Sequence, residues 1–295
     1  MEPIRLQANT SERVLSRGEL LALGYSPKRI TRHVREGTII RVRRDHYLLT
    51  AESDSVITSV RIGGRLTCVS AIALMSPDAF VFSHNHLHVH VERDRSRLRG
   101  AASSSKRWSK QSATGVRVTW GDLTELPVSR HMVAIADAVR TMIRCRPERE
   151  AIATVDSLLR LRILSMMQLR EVVATLPSRH RPILQRIDAR AESGTESLMR
   201  LILWELGVAF VTQAAIPGVG RVDFLVDGFL IVECDSKQFH EGWERQRADR
   251  RRDLAAATAG YVTLRVLAED LLHHPERVER AVRELLAARR AWAAN

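Results

Sequence analysis

The chain has 295 residues, 45% apolar and 27% charged, with 46 Lys and Arg against 34 Asp and Glu and a formal net charge of +12. That length suits two or three domains with a real core, and the apolar fraction is normal for a globular protein. The charge favours a polyanionic partner, because phosphates release counterions to clustered cations. No uninterrupted apolar run approaches the ~20 residues of a membrane helix, and no apolar leader opens the chain, so no membrane partner is expected. Lysine occurs only as Lys28, Lys106, Lys110 and Lys237, so the positive charge is carried by arginine. Cys68, Cys145 and Cys234 are odd in number and form no C-x-x-C pair. This predicts reduced thiols in a cytoplasmic protein, with neither a disulfide framework nor a cysteine-based zinc site.

From the N-terminus, Ser16 to Leu23 fits a short helix stopped at Gly24. Ser26-Pro27 starts another, with Ser as N-cap and Pro in the first turn. In the segment Lys28 to Arg35, Ile30 and Val34 fall at i and i+4, while Lys28, Arg29, Arg32, His33 and Arg35 make the other face basic. Gly37 ends this helix. Strands follow at Thr38–Val42 and His46–Leu49 around an Arg43-Arg44-Asp45 turn. Helix, basic helix and β-hairpin together predict a winged helix-turn-helix over residues 1–52. Residues 1–50 hold 10 basic against 5 acidic side chains, a net +5. The basic helix would enter a major groove, with Arg43 and Arg44 of the wing near backbone phosphate. Use of the same surface for protein contacts is the competing reading.

The pattern Ser26-Pro27-x-x-Ile30-x-x-x-Val34-x-x-Gly37, then Ile40-x-Val42-x-Arg44 and Tyr47, resembles the winged-helix domain of AbiEi-type antitoxins and related regulators. The resemblance runs more weakly through Arg65–Ala71, strands near 87–91 and 115–120, and Leu126-Pro127-Val128, covering residues 10–175. It implies DNA binding, autoregulation and a cognate toxin protein as partner.

Residues 53–190 read as a mixed α/β middle domain. A helix spans Ser70 to Leu74, strands span His86–Val91 and Val116–Trp120, and Arg93–Lys110 is a polar, Ser/Arg-rich loop. Helical periodicity over Val133–Met142, Ala151–Leu161 and Met166–Ala174 predicts a small bundle. His84, His86, His88 and His90 alternate and would share one strand face, where imidazoles suit a transition metal. Leu87, Val89 and Val91 opposite them give the simpler expectation of a half-buried edge strand.

Residues 191–295 read as αβββαβα. Ser193-x-x-Glu196 starts a helix to Leu206 and fits a capping box. A strand spans Val208–Ala215. Arg221–Val226 and Phe229–Lys237 then flank Asp227-Gly228 as two apolar strands with acids at their ends. A basic helix, Trp243–Ala259, carries Arg247, Arg250 and Arg251; a strand at Tyr261–Val266 and a helix from Pro275 to Ala291 complete the chain. Were Asp227-Gly228 a plain two-residue turn, Val226 would pair with Phe229, and Asp223 and Glu233 would face opposite ways. A three-residue loop or one bulge shifts the register and sets Asp223 against Glu233, with Asp235 two positions along. That shifted register is the expectation.

Glu196, Asp223, Glu233-x-Asp235 and His240 resemble the PD-(D/E)xK nuclease superfamily, in particular its very-short-patch-repair (Vsr-like) branch, over residues 191–270. The resemblance implies a restriction-endonuclease-like αβββαβ core. It also implies a Mg²⁺ or Mn²⁺ ion held by Asp223, Glu233 and Asp235, and water activation by His240. Val222 replaces the proline of the motif, and Asp235 stands in the slot usually held by lysine. Lys237 could supply that cation. The fold expectation is therefore an α+β multidomain chain. The functional expectation is a DNA-binding, metal-dependent endonuclease. The alternative is an antitoxin-like autorepressor whose nuclease fold is inactive and serves for homodimer formation or backbone binding.

Overall fold

A computed structural model describes residues 14–49, 53–109, 114–235 and 243–293. They form a mixed α/β structure with three sheets among the described residues. The chain divides into two compact units. One takes in the residues up to Ala151 together with Leu161–Leu184; the other takes in Ile152–Arg160 together with Gln185 onward. No described helix is long and apolar enough to cross a membrane.

The first unit opens with β1 (Val14–Leu15), α1 (Arg17–Ala22), α2 (Pro27–Arg35), β2 (Ile40–Arg43) and β3 (His46–Leu48). Local capping explains the helix limits. Ser16 accepts from the Glu19 N–H, and the Glu19 carboxylate accepts from the Ser16 N–H at 2.7 Å, a closed capping box. Ser26 caps α2 ahead of Pro27. At its other end Gly37 takes φ +74°, and the N–H groups of Gly37 and Thr38 reach back to Val34 and His33 carbonyls, a Schellman stop. Leu20, Tyr25, Ile30, Ile39 and Tyr47 form the core beneath α1 and α2. The antiparallel sheet runs β1-β3-β2. Its short first strand escapes sequence reading because two residues carry no periodicity.

The same unit continues through α3 (Asp54–Ile62), β4 (Arg65–Leu66), α4 (Cys68–Met75), β5 (Leu87–Glu92), β6 (Val116–Gly121), α5 (Ile135–Cys145), α6 (Glu148–Arg160, whose residues from Ile152 belong to the second unit) and α7 (Met166–Ala174). The helix α3 goes unanticipated. The expectation for the histidine run is corrected here. The strand begins at Leu87, so His84 and His86 precede it and only His88 and His90 lie on it. Moreover β5 is the middle strand, antiparallel to β4 and parallel to β6, and not an edge. Residues of both faces are also buried: Val89 and Val91 pack with Ile62 and Leu98, and His88 and His90 are themselves buried.

The second unit comprises α8 (Ile183–Arg186, divided between the units at Leu184), α9 (Gly194–Glu205), β7 (Phe210–Ile216), β8 (Gly220–Val226), β9 (Leu230–Asp235), α10 (Trp243–Thr258), β10 (Val262–Leu267), α11 (Ala268–His273) and α12 (Pro275–Ala293). The sheet order is β10-β9-β8-β7. Strands β7, β8 and β9 form an antiparallel meander, and the chain then crosses through α10 to lay β10 parallel to β9. Val222, Ile231, Ala214, Ile216 and Val219 of the sheet segment pack with Ala256 of α10. Buried Leu198, Met199, Leu201 and Leu203 line α9, which packs against β9, α11 and α12. The short α11 is an addition to the expected element order.

One ion pair in the first unit joins segments far apart in sequence. Both terminal guanidinium nitrogens of Arg130 donate to the Glu19 carboxylate, Nη2 at 2.9 Å, and Nη1 also donates to the Val14 carbonyl. The Arg130 hydrogen bond, then the Ser16 N–H, lower the Glu19 pKa to about 2. A carboxylate with a depressed folded-state pKa stabilises the fold above its unfolded value and loses that contribution as pH falls through the folded one. The pair is half-exposed, so its worth is about 1 kcal/mol or less. Glu19→Gln is expected to lower urea-unfolding stability by roughly that amount at pH 7. The deficit should shrink below about pH 4.5 and vanish near pH 2. A pH-independent deficit would show that packing, and not charge, is responsible.

Candidate functional site

Two surfaces carry the expected functional residues, one in each unit. On α2, Lys28, Arg29, Arg32 and Arg35 are exposed and His33 is half-buried. The Arg29 guanidinium lies 4.9 Å from the Tyr25 ring centroid, and its Nε points to His33 Nε2 at 3.4 Å. His33 in turn contacts Thr38 Oγ1 at 2.7 Å. Arg32 is 3.9 Å from Glu36, a weak exposed pair. An open cleft of about 520 Å³ is lined by Pro27, Thr31 and Val34 of α2, by Arg17 of α1, and by Arg41, Arg44 and Asp45 of the β2–β3 hairpin. Arg44 is exposed at the turn. Arg43 is half-buried: its Nη1 occupies the space over Gly63, with Arg95 and Arg99 nearby. Burial first, and then repulsion from those arginines, lowers its pKa. Sequence reasoning misses Arg17 and Arg41. The signal for Arg41 is its alternation with buried Val42; Arg17 opens α1, where its N–H bonds Asp45 Oδ1 at 2.7 Å.

The second surface is at the end of β8 and β9. Asp227 and Gly228 both have positive φ, and Phe229 N–H closes the turn on the Val226 carbonyl at 3.2 Å. Yet Val226 pairs with Leu230, Leu225 with Ile231 and Phe224 with Val232. Phe229 is thus one extra residue, held because its ring is buried and its carbonyl accepts from Val262. This is the shifted register, and its continuation aligns Asp223 with Glu233.

The Asp223 Oδ2 accepts from the Cys234 N–H at 2.8 Å. Glu233 Oε1 accepts from Arg252 of α10 at 3.1 Å, and Asp235 is 3.6 Å from Arg265 of β10. Glu196 is 7% exposed and is held by capping and bridging bonds: its carboxylate accepts from Ser193 Oγ at 2.9 Å, the Glu192 N–H at 3.0 Å and Gln213 Nε2 at 2.8 Å. Burial raises the pKa of Glu196, Asp223 and Glu233. The charge of Asp223 raises Glu196 and Glu233 further, while Glu192 and Asp235 raise Asp223. Burial and then the four surrounding carboxylates push the Cys234 thiol well up. The acids thus share one electrostatic environment, although each is bonded to a different partner. Among the described residues, the group whose three donor atoms lie within 4.8 Å of one another is elsewhere, at Cys68, His88 and Cys145.

Lys237 and His240 lie outside the described residues. Arg252 and Arg265 are brought to Glu233 and Asp235, and neither is found by motif spacing because one comes from the crossover helix and the other from the parallel strand. Arg247, Arg250 and Arg251 are carried on α10, with Arg250 and Arg251 facing outward.

Residues 2–50 match a family model described as transcriptional regulator, AbiEi antitoxin. No curated protein matches the chain. The N-terminal segment is therefore similar to that family over the stretch that holds α1, α2 and the hairpin.

Three raised carboxyl groups destabilise the ionised fold, since a folded-state pKa above the unfolded one costs stability as pH climbs past about 4. Asp223→Asn keeps an acceptor for the Cys234 N–H and removes the charge. It is expected to raise Tm by a few degrees at pH 7 in chelator, with the gain disappearing toward about pH 4. An unchanged or lower Tm at neutral pH would mean that the Asp223 charge is already compensated.

Proposed function

We propose that this chain is a DNA-binding transcriptional regulator of the antitoxin kind, reading duplex DNA through a winged helix-turn-helix with a cognate toxin as protein partner. The observation that carries the reading is the exposed basic face of α2, beside a cleft rimmed by Arg17, Arg41 and Arg44, within the residues that match the regulator family. In this reading α2 enters the major groove, and the arginines of the cleft rim neutralise phosphates on either side. The test is fluorescence anisotropy with duplex DNA from upstream of the chain's own gene against a scrambled duplex. Changing Arg29 and Arg32 to Ala is expected to cost about 1–3 kcal/mol each and to lower the salt slope by roughly 1 for every phosphate no longer neutralised. Equal binding to both duplexes, or undiminished affinity in the double variant, would overturn the proposal.

A second reading is favoured by the acids at β8 and β9. Their mutual electrostatic strain is what a bound cation relieves, and carboxylate oxygens suit Mg²⁺ or Mn²⁺. Asp223, Glu233 and Asp235 would hold the ion, which when bound lowers the pKa of a coordinated water and neutralises charge on a phosphodiester. Arg252 and Arg265 would fill the role of the lysine absent at position 235, each already paired with one of the acids. This is the PD-(D/E)xK, Vsr-like endonuclease reading. Plasmid cleavage in Mg²⁺ and Mn²⁺ tests it: Asp223→Asn should abolish cleavage while DNA affinity persists. Cleavage by the variant at the wild-type rate would end the nuclease reading and leave the DNA-binding one intact.

A further inference from the structure

Sequence spacing argues against a cysteine-based metal site, and the fold argues for one. Cys68 stands at the first position of α4, His88 on β5, and Cys145 at the last position of α5. Their donor atoms all lie within 4.8 Å of one another. The two sulfurs are unbonded and 2.9 Å apart, and Cys145 Sγ is 3.9 Å from His88 Nδ1. Cys68 and His88 are buried, and Cys145 is half-buried.

The surroundings hold these groups in place. Cys68 has φ +54°, a left-handed backbone that costs a β-carbon residue about 1 kcal/mol or more. The strand of His88 is tied to the start of α4 by the Ser70 hydroxyl, which accepts from the His88 N–H at 3.0 Å, and by the Thr67 N–H, which donates to the His88 carbonyl at 3.0 Å. Thr67 also bonds Thr141 of α5 at 3.2 Å, closing the third side. His84 is next to the cluster, its ring centroid 6.0 Å from that of His88 and its Nε2 3.2 Å from Ser70 Oγ.

We propose that Cys68, His88 and Cys145 bind a transition metal, with Zn²⁺ the ion that fits and His84 the nearest donor for a fourth position. Two thiolates and imidazole are a borderline-soft donor set that suits zinc over Mg²⁺. With Zn–S near ~2.3 Å, tetrahedral geometry sets two sulfurs roughly 3.8 Å apart. The pair need part by only about 1 Å to admit the ion. The hydrogen bond from Cys68, helped by His88, holds the Cys145 thiol down against its burial, while the same bond and burial raise Cys68. Metal binding releases the thiol protons to solvent. The ion would pin α4, β5 and α5 together in the first unit.

The test uses the full chain, purified under reductant, stripped with a chelator and titrated with Co²⁺. One equivalent should bind with a sulfur-to-cobalt charge-transfer band and the intense visible bands of a tetrahedral site. Zn²⁺ should displace the cobalt, raise Tm and protect two thiols from alkylation. Cys145→Ser should weaken binding more than about 100-fold, exceeding the loss from an outer-shell partner. His84→Ala should weaken it less. Should Cys145→Ser misfold, the alkylation pattern of the wild-type chain with and without Zn²⁺ decides the matter. Co²⁺ binding without a sulfur band, thiol reactivity indifferent to zinc, or a Cys68–Cys145 disulfide that forms and excludes metal would each overturn the proposal.

Discussion

The second unit depends on a single extra residue. Because strand side chains alternate with period two, one residue more or fewer between Val226 and Leu230 reverses every side chain of β9 relative to β8. Asp227 and Gly228 by themselves can close a two-residue turn, and their left-handed φ values show that they do so. Phe229 then breaks the plain hairpin. Its ring is buried with Arg289 over it at 5.4 Å, and its carbonyl is taken by Val262 of the neighbouring parallel strand. The bulge is therefore fixed by β10 as much as by the turn, and the continuation of β8 against β9 aligns Asp223 with Glu233.

Bringing acids together in a half-buried place has a cost that the structure meets with arginine. Glu233 pairs with Arg252 and Asp235 with Arg265, which it shares with Asp253 at 2.8 Å. Asp223 instead accepts a backbone N–H, and the charge of Arg221 offsets part of what burial, Glu192 and Asp235 impose on it. Asp223 also helps to raise the pKa of Glu196, Glu233 and Cys234 around it. Carboxyl groups with raised pKa values cluster at functional sites and also occur in structural networks, and this strain is the observation on which the second reading rests.

How much of this is legible in the sequence follows from how local each signal is. The ends of α1, α2 and α9 are written in neighbouring residues: Ser16 with Glu19, Ser26 with Pro27, Ser193 with Glu196, and glycines at 37 and 207 that take the left-handed conformation. The register of β8 and β9 is read from the parity that sets Asp223 against Glu233, since Asp227-Gly228 as a plain turn gives the other. What fails is non-local. Leu87–Glu92 alternates like an edge strand, but a strand's place in a sheet is decided by its partners, and β6 joins it across a long polar loop. Cys68 and Cys145 are 77 positions apart, so no spacing rule detects them. Arg252 and Arg265 look like two among many arginines until the crossover brings them to β9. For Lys237 and His240 the sequence argument remains alone.

The division of the chain has its own physical reason in Asp156. This residue of α6 is buried, and burial raises its pKa against the pull of Arg200. It accepts from Ser197 Oγ at 2.7 Å, from Arg200 Nη2 at 2.8 Å and from the Asp188 N–H at 2.8 Å. Ser197 and Arg200 belong to α9, so a charged group from the stretch read as the middle domain completes the polar core of the C-terminal unit. Removing one partner of such a buried, hydrogen-bonded pair leaves the other uncompensated, at a typical cost of about 3–5 kcal/mol. A boundary at residue 190 would make that cut, separating Asp156 from Arg200. The segment Ile152–Arg160 therefore belongs with the sheet of β7 to β10, and the acids of β8 and β9 sit in a unit whose helix α9 is anchored by a residue 41 positions before Ser197.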